Sequence, residues 1–255
     1  MHESHRLQQA ADCLLQARSS GQRLQALPEA LRPLNAQQAY AIQDLQLRQL
    51  GPVVAWKVGA SSPSAEPGCA PITARSMVCA SQPLELSAIQ HRGVEVEVGV
   101  VLGQSLPPRA GAYGEEEVLA ALDFVCVAVE IVDFRFSDAS QLDRWSKMAD
   151  FSGHGLVTHA PQGIGPAWLR SGQVPEASLT LSTSSPVSGP SQNPAGDIRR
   201  LLTWLANHAS QRGIGLQAGQ LIITGSCLPM QFAQPGERIQ VSLEGIGSLA
   251  LSVAP

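Results

Sequence analysis

The sequence predicts an α+β protein rich in strands, with its longest helical stretch at the N-terminal end. Two observations carry that prediction. Apolar residues recur at helical spacing through the first fifty positions, and from Val53 onward short apolar runs bounded by Gly, Pro and Ser outnumber helical segments. These runs do not alternate regularly with helices, which excludes a doubly wound parallel sheet. No repeat, low-complexity tract or compositional break divides the chain. Residues 1–255 therefore read as one domain, a helical segment over 1–51 followed by a β-rich core over 52–255.

Each element has a local reason. His5 to Ala17 places Leu7, Ala10, Ala11, Leu14 and Leu15 at helical spacing, and Ser19-Ser20-Gly21 ends the run. A second helix starts after Asn35, with Gln38 as a capping-box partner, turns Ala39, Ile42 and Leu45 inward, and stops at Gly51. The two helices suit a cover or a contact between subunits. Val53 to Gly59 reads as a buried strand and Ala60 to Ser76 as a loop rich in Pro, Ser and Gly. Strands follow at 93–103, 124–132, 156–158, 177–183, 220–224, 237–243 and 248–253. Helices are expected at 115–122 and 141–149, and from Pro194 to about Gln211, while 150–155 and 184–193 read as turn and loop.

Composition limits the function. Hydrophobic residues make up 44% and charged residues 15%, which supports a packed core and argues against disorder. A net charge of −4, without a basic block, excludes nucleic acid as a partner. No apolar run approaches a membrane span, and Met1 to Leu27 resembles neither a secretory signal nor a transit peptide. Cysteines at 13, 69, 79, 126 and 227 are odd in number and lack paired short spacings. That pattern argues against zinc and disulfides and for a reducing cytoplasm.

The chemistry concentrates in a few charged residues on apolar strands. Glu95 and Glu97 share one face of the 93–103 strand, while Val94, Val96 and Val98 share the other. Two like charges on such a strand are costly unless something cancels them, as a divalent cation bound by carboxylate oxygens would. An edge strand with a polar face turned to water is the alternative. Glu130 interrupts a second apolar strand, where a metal or a salt bridge with Arg135 would account for it. Lys57, alone in a third strand, either leans out at an edge or meets an anion.

In order along the chain stand Trp56-Lys57-Val58-Gly59, Glu95-Val96-Glu97, Glu130-Ile131-Val132-Asp133 with Arg135, Ala149-Asp150, and Thr224-Gly225-Ser226. This set resembles the 2-keto-4-pentenoate hydratases of the fumarylacetoacetate hydrolase superfamily, from about Ala39 to the C-terminus. The resemblance implies mixed sheets curled around an active site, with Mg²⁺ or Mn²⁺ held by Glu95, Glu97 and Glu130. It places Lys57 in that site and Thr224 and Ser226 along the substrate pocket. Asp150 would orient substrate or water, and Arg135 would support Glu130 or meet a substrate carboxylate. A lysine in an apolar strand beside a metal is expected to have a lowered pKa.

The implied reaction is addition of water to a small 2-hydroxy-dienoate or 2-oxo acid in aromatic catabolism, by a homo-oligomer. Alternatives are decarboxylation of 4-oxalocrotonate, acylpyruvate hydrolysis, and a metal-binding scaffold or partner of a pathway enzyme that lacks activity. The His-Glu pair of the hydrolases is missing between Gly59 and Met77, where Glu66 has no histidine beside it. Departures from the hydratase pattern fall at 65–71 and 150–155.

Overall fold

The computed structural model describes residues 3–255. Helix α1 (Glu3–Ser20) packs on α2 (Ala36–Leu50), burying Leu7, Ala10 and Leu14 with Ala39 and Ile42. Asn35 caps α2 by accepting the Gln38 N–H at 2.9 Å. Gln38 does not close a capping box on Asn35. Its Oε1 accepts instead from the Leu34 N–H at 2.9 Å and from Arg6 at 2.6 Å, which ties α1 to the start of α2.

The strands, in chain order, are β1 (Val53–Gly59), β2 (Gly68–Thr73), β3 (Gly93–Leu102), β4 (Leu122–Val132), β5 (His154–His159) and β6 (Glu176–Leu181). They continue with β7 (Val187–Pro190), β8 (Leu221–Ser226), β9 (Gln231–Phe232), β10 (Arg238–Leu243) and β11 (Gly247–Ser252). Between them lie α3 (Glu115–Ala120), α4 (Arg144–Ala149) and α5 (Ile198–Gln211). The larger sheet runs β2-β1-β8-β3-β4-β5, with β9 on β3. A smaller antiparallel sheet, β11-β10-β6-β7, packs by β10 and β11 against β4.

The larger sheet curls until its two edges meet. Beyond β2, Met77 bridges to Val157 of β5, and the Val78 N–H donates to the Val157 carbonyl at 2.9 Å. The convex face carries Trp56, Val94, Val96, Val98 and Val129 into the main core beneath the helices and the second sheet. The concave face holds a smaller cluster that includes Ala55, Val101, Cys126, Ala128, Val157 and Ile223. Lys57, Glu97 and Glu130 stand two residues along from Ala55, Gly99 and Ala128, on that same face. The apolar plug thus fills one end of the curl and the charged residues occupy the other.

Three expectations need correction. The loop expected over 60–76 contains β2, which lies at the sheet edge, where Pro71 loses no ladder bond. The loop expected over 184–193 contains β7, also an edge strand. Helix α5 begins at Ile198 rather than near Pro194, because the Asp197 carboxylate accepts the Arg199 N–H and caps it there. Among the described residues no helix is long and apolar enough to cross a membrane.

Candidate active site

Strand register assembles the acids. Glu95 lies directly opposite Glu130 across the β3–β4 ladder, and Glu97 follows two residues on, paired with Ser226 of β8. One oxygen from each of the three carboxylates lies within 4.8 Å of the others. Glu97 is 1% exposed and Glu130 fully buried, so the bland reading of a solvated polar edge does not hold. Two buried carboxylates and the half-buried Glu95 converging on one point are the donor set of a hard divalent cation with positions left open for a ligand.

Lys57 enters this cluster across the hollow of the curl. In the sheet order it stands three strand spacings from Glu130, on the order of 14 Å in a flat sheet. Its Nζ nevertheless donates to both Glu130 oxygens, at 2.8 and 2.7 Å, and to the Ser152 carbonyl at 3.2 Å. His154 Nδ1 meets Glu130 Oε1 at 2.7 Å, and its Nε2 meets Ser76 Oγ at 3.0 Å. Gly225, at φ +102°, turns its N–H onto Glu97 Oε2, a backbone geometry that side-chain-bearing residues rarely adopt. Lys57, Glu95, Glu97, Gly225, Ser152, Phe134 and Met148 line a cavity of about 530 Å³.

The groups shift one another strongly. Burial first, then the Glu130 charge, pushes the Glu95 carboxyl up to about 7 against the pull of Lys57. Burial, Glu130 and Glu95 push Glu97 well above the carboxylate range, although Lys57 and the Gly225 N–H oppose them. For Glu130, burial is overruled by Lys57 and His154, and its pKa is lowered. Burial pulls the Lys57 ammonium down, but Glu130, Glu95 and Glu97 outweigh it and raise the pKa. The expected lowering is therefore reversed in the metal-free protein, because three nearby carboxylates count for more than an apolar strand. Burial also lowers His154, against the pull of Glu130.

A pH dependence follows. A carboxyl raised from 4.5 to about 7 makes the metal-free native state bind more protons than the unfolded chain across that range. Its contribution to stability is full below the unfolded value and is lost as pH rises through the folded one, on the order of 3 kcal/mol for Glu95 alone. We predict that the Tm difference between Mg²⁺-loaded and chelator-treated protein widens from about pH 5 to about pH 8. A constant difference would show that the acids do not bind the ion.

Other expected site residues lie elsewhere. Arg135 does not reach Glu130: after β4 the chain leaves the sheet, and its Nε lies 3.2 Å from Asp150 Oδ1. Asp150 is fully buried, accepts the Arg135 backbone N–H at 2.7 Å and has Arg18 at 3.7 Å, so neither residue lines the cavity. Thr224 Oγ1 donates to the Val98 carbonyl at 2.8 Å and Ser226 Oγ to the Leu228 carbonyl at 2.7 Å, both spent on backbone. The function of that segment in this geometry is carried by the Gly225 N–H. Asp150→Ala is expected to cost about 3 kcal/mol in chemical denaturation, since it strands a buried guanidinium, while Mg²⁺ affinity stays within about threefold. A larger loss of affinity at unchanged stability would reinstate Asp150 in the site.

His154 and Ser152 join the site although neither stands among the residues that the motifs single out. The one signal was a histidine between two glycines at the mouth of an apolar strand, and only the register of β4 with β5 brings it near Glu130.

Known proteins resemble this chain in sequence and in fold. Residues 52–254 match the model for the fumarylacetoacetate (FAA) hydrolase C-terminal family. The 2-keto-4-pentenoate hydratase of Paraburkholderia xenovorans (strain LB400) is 30% identical over 255 residues, covering 95% of this chain and 93% of that protein. A 4-oxalocrotonate decarboxylase of a Pseudomonas species is 30% identical over 176 residues, covering 66% of this chain and 63% of that protein. The 4-oxalocrotonate decarboxylase of Pseudomonas putida G7, solved with magnesium and adipate, superposes with a TM-score of 0.83 at 21% identity over 97% of both chains. The chain belongs to the 2-keto-4-pentenoate hydratase family of the fumarylacetoacetate hydrolase superfamily.

Proposed function

We propose that the protein is a metal-dependent hydratase that adds water to a small 2-hydroxy-2,4-dienoate, giving a 4-hydroxy-2-oxo acid. The observation that carries this reading is the convergence of Glu95, Glu97 and Glu130 beside Lys57, with Lys57, Glu95 and Glu97 on the wall of one cavity and Glu130 buried behind it. The three carboxylates fit Mg²⁺ or Mn²⁺, which when bound supplies a Lewis acid for the adjacent carboxylate and 2-oxo oxygens of such a substrate.

The chain's own groups have separable tasks. Lys57, kept protonated by the acids around it, presents a proton-bearing Nζ at the cavity wall, where negative charge develops as the dienol ketonises. His154 holds Glu130 at Oε1, an oxygen that it shares with Lys57, and keeps that carboxylate ionised and oriented. The Gly225 N–H orients Glu97. Phe134 and Met148 line the same cavity and limit the water within it.

The test is the absorbance of 2-hydroxypenta-2,4-dienoate with enzyme and Mg²⁺ or Mn²⁺, with product identification and a chelated control. Metal-dependent loss of the dienol band giving 4-hydroxy-2-oxopentanoate is expected. Absence of turnover despite metal binding would overturn the reading. A second reading, decarboxylation of a 4-oxalocrotonate-type diacid, has the support of Arg144 and Lys147, two cations in the same cavity wall suited to a second carboxylate. Release of carbon dioxide from that substrate would favour it. We further propose that the chain acts as a single-domain cytoplasmic homo-oligomer. The continuous core from Leu7 to Val253 supports the single domain, the five free cysteines a reducing compartment, and the exposed Leu34, Val174 and Phe232 the assembly, which a monomer by light scattering would refute.

A further inference from the structure

A second cavity, of about 630 Å³, opens between α1, the end of α2, the segment after β2 and the start of β5. Neither Lys57 nor any of the three acids lines it. Its polar wall includes Arg18, Arg75, Ser76 and His154. The Nε and Nη2 atoms of Arg18 are buried without a hydrogen bond; Nη2 stands 3.7 Å from Asp150 Oδ1, which Arg135 Nε also meets at 3.2 Å, and the guanidinium lies over the Phe151 ring, 5.3 Å from its centroid. Burial lowers the Arg18 pKa to about 10, which leaves it charged at neutral pH. Arg75 is exposed and forms no ion pair among the described residues. The acid on this wall, Asp12, accepts a hydrogen bond from Gln8 at 2.9 Å.

Arg18, Arg23 and Arg135 share two carboxylates, Asp133 and Asp150, which leaves one guanidinium charge in excess beside this wall, and a carboxylate matches its planar fork. The volume suits a small organic molecule. Two connections join this cavity to the site of the metal ligands. Ser76 Oγ meets His154 Nε2 at 3.0 Å, and His154 Nδ1 meets Glu130 Oε1 at 2.7 Å. Phe151 lines the second cavity, while the next residue, Ser152, lines the first and accepts from Lys57 at 3.2 Å. Both stand in the left-handed region, at φ 50° and 52°, a strained turn shared by the two cavities.

We propose that the second cavity binds a small carboxylate, and that Ser76, His154 and Glu130 transmit its occupancy to the metal-ligand cluster. The site does not depend on which reaction the first cavity performs.

The test uses the full chain, stripped of metal, titrated calorimetrically with succinate as the probe. Arg75 lines the second cavity and not the first, so its variant separates binding there from binding beside Arg144 and Lys147. One succinate per chain is expected. Arg75→Gln should weaken it about tenfold, the loss of one charged hydrogen bond, and Arg18→Gln should abolish it. Arg75 is exposed, so its variant keeps the test valid if Arg18→Gln unfolds. Saturating succinate should then change the Mg²⁺ affinity at least about threefold in the parent but not in Ser76→Ala, with the reciprocal change in succinate affinity. No saturable binding, or parent-like binding in Arg75→Gln, would overturn the site. Binding with unchanged Mg²⁺ affinity would overturn the transmission.

Discussion

Glu97→Ala is expected to weaken Mg²⁺ binding by more than about 100-fold, at or beyond the upper end of what loss of a ligand's supporting partner costs. Glu97 is 1% exposed and is held by the Gly225 N–H, so no neighbouring oxygen can take its place. The fold should survive. Alanine removes a buried acid whose ionisation burial and two like charges oppose, so the metal-free variant should melt at the parent's temperature or a few degrees higher. Its Tm should no longer respond to Mg²⁺. Calorimetric titration and thermal melts at neutral pH check both halves, and parent-like affinity would remove Glu97 from the ligand set.

Lys57→Met should lower turnover of the dienoate by about 10²- to 10⁴-fold, the usual worth of a positioned proton donor. The same change should not weaken Mg²⁺ binding. Lys57 now compensates three carboxylates, and without it their charge has only the metal to answer it. This split separates a role in the chemistry from a structural one. If Lys57 merely held the cluster together, metal affinity and melting temperature would fall along with turnover. A variant that loses activity and metal together would therefore refute the assignment, and one that keeps full activity would leave Lys57 a structural counter-ion.

Much of this was legible in the chain itself. The alternation through 93–103 already put Glu95 and Glu97 on one face, and Glu130 and Lys57 stood out as charges in apolar strands. The order of those short motifs was enough for the family. What the sequence could not show was distance. In β-structure, contacts come from pairing between residues remote in the chain, and local pattern does not encode the register. Glu95 faces Glu130 because β3 pairs antiparallel with β4, and Lys57 reaches Glu130 only because the sheet curls until Met77 meets Val157.

The same reason explains the misplaced residues. Thr224, Ser226, Asp150 and Arg135 lie in the right segments, yet their side chains turn to backbone carbonyls or to one another. His154 carried little local signal and became a partner of Glu130 through tertiary placement. By itself, then, the sequence determined which residues carry charge into apolar strands, because burying a carboxylate or an ammonium is costly wherever the strand lies. The tertiary structure alone decided which of them meet, because that depends on strand order, register and curl.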